Sequence, residues 1–212
     1  MKRNILYIVV FAIAMAYLES VVVVYLRELL YPEGFAFPLV LIPSWLLIAE
    51  LGREAATVVM LGAVAFLAGT RRWERFAIFI VAFGIWDIFY YVWLKVLLDW
   101  PLSLLDWDIL FLIPLPWIGP VIAPVLISVL MIIAGFVILR RLNAGKMFKP
   151  GVWTWSLSVV GSCVILFSFM RDTDAALHQA LPQPFWYPLF FAGFAMLVGA
   201  FLVSLRESDK LE

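Results

Sequence analysis

The chain has 212 residues, 66% of them hydrophobic and 14% charged, with a mean hydropathy of +1.06 and a formal net charge of zero. Soluble domains are roughly 45–50% apolar, so this composition excludes a water-soluble globule and describes a chain that crosses a membrane several times. The apolar runs are long and unbroken, without the alternation over about ten residues that marks a membrane β-barrel, so the spans are helices.

A helical span takes about 20 mostly apolar residues. Six runs of that kind are bounded by charge, proline or glycine: Ile5 to Leu26, Ser44 to Gly69, Phe76 to Leu98, Ile109 to Leu139, Val152 to Met170 and Phe185 to Leu205. The expected fold is therefore all-α, a polytopic membrane protein forming a compact bundle of about six transmembrane helices, with residues 1–212 as a single integral membrane helical domain.

The first span follows two basic residues, as a signal peptide would. Its apolar stretch exceeds the 7–15 residues of a signal core and no small-residue cleavage site follows, so it reads as an uncleaved span. Between the first two spans, YPEGFAFPLVLIPSW is too apolar for a free loop and too rich in proline for a straight helix. It is expected to lie along or dip into the interface.

The second span carries AELGREAAT, in which Glu50, Arg53, Glu54 and Thr57 recur at i, i+3, i+4 and i+7 and form one polar stripe. The third carries GIWDIFYYVWLK, with Asp87 inside a hydrocarbon-length run. At helical spacing the Asp87 face includes Phe83, Gly84, Tyr90, Tyr91, Leu94 and Lys95, while Trp86 and Trp93 point elsewhere.

A rise of 1.5 Å per residue puts Glu19 about 21 Å, Glu54 about 22 Å and Asp87 about 17 Å up their helices, in one layer. Glu50, Lys95 and Arg27 lie nearer the surface. Arg53 is the only base at comparable depth and is the expected partner of Asp87, although Glu19 and Glu54 compete for it.

An unpaired charge at such depth costs at least about 2.5 kcal/mol. A proton, a bound cation or water must make up the shortage. A hydrogen-bonded network that only ties three helices together is the alternative, at about 0.6 to 2 kcal/mol per contact.

The fourth run is about ten residues too long for one span. Its excess, ILFLIPLPWIGPVIAP, contains Pro114, Pro116, Pro120 and Pro124 and is expected to be either an irregular, proline-rich outer segment lining the same cavity or a short interfacial helix followed by an ordinary kinked span. The preceding loop sets Asp99, Asp106 and Asp108 among Trp100 and Trp107, interface anchors beside acids that concentrate cations.

The fifth span offers Thr154, Ser158, Gly161, Ser162 and the single Cys163, and the sixth Gly193 and Gly199, all as close-packing surfaces. Asp174 and the only histidine, His178, are four residues apart, too few ligands for a metal site. No metal is therefore assigned, and no cofactor follows from the residues.

With both termini placed in the cytoplasm, that side holds eleven of the fifteen bases and four acids, a formal +7, and the outer side a formal −7. The basic excess follows the positive-inside rule and indicates a plasma or bacterial inner membrane. The acidic excess calls for a separate reason.

The expected function is an outward-facing acidic and aromatic intramembrane cavity that binds a small cationic or amphipathic ligand, an ion or a proton. Its binding residues would be Glu19, Glu50, Arg53, Glu54, Asp87, Tyr90, Tyr91 and Lys95. Two readings stand beside it. One is an intramembrane enzyme in which Asp87, Glu54 or Glu19 serves as acid toward a lipid or isoprenoid-like substrate. The other is an accessory subunit of a larger membrane complex.

Expected partners are accordingly membrane lipids and a small cationic or lipid-like ligand. Nucleotide-binding and nucleophile-elbow motifs are missing, as is a basic nucleic-acid surface. The charged stripe has no counterpart in the second half, which argues against an inverted-repeat transporter.

Overall fold

The structure is a computed structural model that describes residues 2–40, 42–174 and 178–210, with the backbone alone for residues 2–4. Among the described residues six helices are long and apolar enough to cross a membrane: α1 (Lys2–Leu30), α2 (Ser44–Ala68), α3 (Arg72–Leu98), α4 (Ile122–Asn143), α5 (Val152–Met170) and α6 (Tyr187–Asp209). Large apolar side chains such as Leu18, Ile48, Leu67 and Val96 are exposed along their outer faces. The chain is an integral membrane protein of six helical spans.

The helix ends follow local chemistry. Pro32 disfavours helix at Tyr31, so α1 stops at Leu30. Pro43 precedes α2, and Glu74 caps α3 by accepting from the Thr70 and Arg71 amides at 2.9 and 3.3 Å. Asp99 ends α3 in the left-handed conformation, at φ 53°. Glu207 of α6 caps α5, accepting from the Gly151 amide and the Thr154 hydroxyl at 2.6 Å each.

The segment before the fourth span departs from expectation. It is an antiparallel hairpin of β1 (Trp107–Phe111) and β2 (Trp117–Pro120), paired Trp107 to Pro120, Asp108 to Gly119 and Ile109 to Ile118, with a register shift before Phe111 pairs Trp117. Prolines at 114 and 116 occupy its turn, where no ladder donor is needed. Pro124 falls within the first turn of α4, the place a helix tolerates proline, so the fourth span starts at Ile122 rather than Ile109 and runs on to Asn143.

A two-stranded hairpin is at best marginal alone. Here it packs against α4 and α5, and Trp117 stacks on Phe169 at 6.1 Å.

α3 is the central helix, packed along α1 and α4 and less extensively against α2. Its inner residues Ala77, Ile78, Val81 and Ala82 join Ala12 and Ala16 of α1 and Leu61 and Ala65 of α2 in the larger apolar core. A Cβ on Gly84 would stand 2.6 Å from the Ser128 carbonyl oxygen, so glycine lets α3 and α4 approach here.

α5 and α6 form a second closely packed pair, crossing where Gly161 and Gly193 each face the other's carbonyl. Of the expected close-packing residues, Gly199 makes only ordinary contact, Ser158 and Ser162 line a crevice, and Cys163 is exposed. α1 and α2 barely touch. The gap between them is filled with polar groups.

Candidate functional site

The polar stripe of α2 turns toward α1, as its spacing requires. Arg53 pairs with Glu50 one turn back, Nη2 and Nε lying 2.8 and 2.9 Å from Oε2, and reaches across the gap to pair with Glu19. The Thr57 hydroxyl donates to the other Glu19 oxygen. Both carboxyl partners are buried, Glu19 and Glu50 at 5% and 6% exposure, and so is Thr57. This chain of contacts joins two helices that otherwise make little contact.

Glu54 is held differently. Both of its oxygens accept from the Leu112 amide, at 3.0 and 2.9 Å, so the carboxylate ends the backbone of the hairpin where β1 leaves its ladder. Asp87 is not paired with Arg53, contrary to expectation. Its Oδ2 accepts from the Ser128 hydroxyl of α4 at 2.8 Å, because the glycine contact at position 84 brings α4, rather than α2, against the Asp87 face.

A second buried pair closes the hairpin end. Arg27 of α1 bonds Asp108 of β1 at 3.1 Å, and its guanidinium lies 3.7 Å from the Trp100 ring centroid and 4.3 Å from that of Phe35. Burial pushes the Asp108 carboxyl up to about 6, against the opposing pull of Arg27. The pair thus fixes the hairpin to α1, as Glu54 fixes it to α2.

These groups line one pocket of about 120 Å³ between α1, α2, α3 and the hairpin. Glu19, Glu50, Arg53, Glu54, Asp87, Tyr90 and Tyr91 all face it, so seven of the eight residues singled out in the sequence converge. Lys95 does not. It is half exposed and pairs with Asp99 at 2.7 Å, one turn on, where α3 ends.

In the sequence Arg27 and Asp108 stand only at the outer level, with nothing to join them across 81 residues. Ser128 carries a weak signal, being the single hydroxyl in α4. The Leu112 amide carries none, since every non-proline residue has one. Trp86, expected to point elsewhere, also lines the pocket, whereas Trp93 turns away and donates to the Ile13 carbonyl of α1 at 3.1 Å.

The loop acids are used locally. Asp106 accepts from the Leu102 and Ser103 amides at 2.7 and 3.1 Å, and Asp174 pairs with His178 at 2.9 Å on the surface. Among the described residues no three histidine, cysteine, aspartate or glutamate side chains converge in a metal-ligand arrangement.

Fold and site together define a six-span membrane protein with a cluster of buried carboxylates. Comparison of the chain with protein-family models, with curated proteins and with solved structures gives no significant match.

Proposed function

We propose that the pocket binds a small cation bearing an apolar part, and that it opens away from the cytoplasm. The observation that carries this reading is a charge imbalance: five carboxyls line the pocket against two guanidiniums. Both guanidiniums are already engaged, Arg27 with Asp108 and Arg53 with Glu19 and Glu50. Among the described residues Glu54 and Asp87 meet only neutral donors, backbone amides for the first and the Ser128 hydroxyl for the second.

A cation seated between Glu54 and Asp87 would relieve the cost of charge at membrane depth. The faces of Trp86, Tyr90 and Tyr91, which line the same space, would add cation–π attraction strengthened by exclusion of water. Arg53 then acts as the positioning residue that fixes the neighbouring carboxylates. The eleven bases gathered at the opposite helix ends and termini support the finer placement, both termini in the cytoplasm of a plasma or bacterial inner membrane.

The test is calorimetric titration of the full chain in lipid nanodiscs with methylammonium, butylammonium and tetramethylammonium. Saturable binding of at least one probe is expected, weakened at least tenfold in Asp87→Asn and in Glu54→Gln and unchanged in Lys95→Gln. Identical isotherms for the wild type and the two carboxyl variants, or no binding across the series, would overturn the reading.

A further inference from the structure

A second cavity lies toward the other end of the bundle, between the α3–α4 pair and the α5–α6 pair. It measures about 340 Å³ and is walled by apolar side chains, among them Phe76, Met131, Ile138, Trp155, Leu197 and Phe201. It exists because the two helix pairs are each tightly packed but touch one another little. Along the α5 wall, Ser158 and Ser162 leave room that larger residues would fill.

Its lining on α4 runs from Ile127 to Ile138, which at 1.5 Å per residue is about 16 Å, roughly the depth of one leaflet of a 30 Å hydrocarbon core. The crevice therefore has the length of one acyl chain. It ends at a cluster in which the Trp73 ring meets Phe148 at 5.1 Å and Trp155 at 6.3 Å.

That end is basic. Arg72 places its guanidinium 5.3 Å from the Trp73 ring centroid, and Lys149 is flanked by Phe148 and Pro150, both of which line the crevice. Among the described residues neither Arg72 nor Lys149 forms an ion pair. The acids nearby are committed elsewhere: Glu207 caps α5, Asp209 pairs with Arg141 at 2.5 Å, and Glu74 caps α3. The Trp73 indole N–H has no acceptor among the described residues.

We infer that this crevice is a binding site for an anionic phospholipid. One acyl chain lies between the two helix pairs, and the phosphate is held at the helix ends by Arg72 and Lys149, with the Trp73 N–H as a further donor. The site is separate from the acidic pocket and does not depend on what that pocket binds. Charge complementarity selects the headgroup, and the one-leaflet length selects the chain.

The experiment is native mass spectrometry of the full chain released from vesicles of phosphatidylglycerol and phosphatidylcholine in equal amounts. One phosphatidylglycerol should remain bound at least fivefold over phosphatidylcholine. The preference should vanish in Arg72→Gln/Lys149→Gln, whose changes lie at exposed positions, and retention of both lipids should fall in Ser158→Phe. In parallel, phosphatidylglycerol carrying a diazirine in its acyl chain should label wild-type peptides containing Phe76 to Ile80 and Ser158 to Ser162. Equal retention of the two lipids by the wild type, a preference untouched by the double substitution, or labelling confined to other helices would each overturn the inference.

Discussion

Arg53 and Asp87 occupy the same pocket, yet their side chains do different work. The Arg53 guanidinium holds two buried carboxylates on two helices, so removing it strands both. Breaking a buried ion pair from one side costs about 3–5 kcal/mol. Arg53→Met should therefore lower the unfolding free energy by about that much in denaturant titrations of the detergent-solubilised chain. Asp87 makes one neutral hydrogen bond, which an asparagine oxygen can also accept. Asp87→Asn should stay within about 1 kcal/mol of wild type in the same measurement. Equal losses in the two variants would show that both residues serve only to hold helices together.

The hairpin is the element that turns a gap between helices into a pocket. Its two strands are at best marginal alone, and the contacts that hold them include the Glu54 carboxylate on the Leu112 amide, the Arg27–Asp108 pair, the Thr173 hydroxyl donating to the Pro116 carbonyl at 2.8 Å, and stacking of Trp117 on Phe169. The first anchor needs an acceptor rather than a charge. Hydrogen exchange at Leu112 should rise at least tenfold in Glu54→Ala, a loss of about 1.4 kcal/mol of protection, and remain near wild type in Glu54→Gln. Protection retained in Glu54→Ala would mean that packing and the Thr173–Pro116 hydrogen bond suffice to hold the turn. The same contrast separates the charge of Glu54, required for a cation, from its acceptor function.

At the scale of the whole molecule, charge is polarised along the bundle. The described helix ends and the loop opposite the hairpin carry Arg71, Arg72, Arg75, Arg140, Arg141, Lys146, Lys149, Arg206 and Lys210, while the hairpin end carries Asp99, Asp106 and Asp108. The orientation we propose puts these basic loops in the cytoplasm, as the positive-inside rule favours. In a Cys163→Ser background, an impermeant maleimide should label Leu102→Cys in intact cells and Met147→Cys only after lysis. Both native positions are exposed, so access depends on sidedness rather than on burial. Labelling in the reverse order would invert the orientation and turn the acidic pocket toward the cytoplasm.

The sequence by itself determined that the chain is membrane-embedded, that it has six helical spans, and that α2 carries a polar stripe. These are consequences of run length and of the 3.6-residue period, both of which are local. Seven of the eight residues it singled out line one pocket, as similar depth in neighbouring spans favours.

Partner choice was different. Whether Asp87 met Arg53 or Ser128 depended on which helix α3 touches at Gly84, and that contact is set by packing between segments about forty residues apart. The prolines at 114, 116, 120 and 124 ruled out a helix without specifying a hairpin, since the strands exist only through pairing with each other and through anchors on α1, α2 and α5. Lys95 shared a helical face with Asp87, but a side chain near a helix end follows the nearest solvent-exposed acid, and Asp99 was one turn away. Only the tertiary structure decided these matters, because a hydrogen-bonded partner is chosen by three-dimensional distance, which periodicity along one helix does not contain.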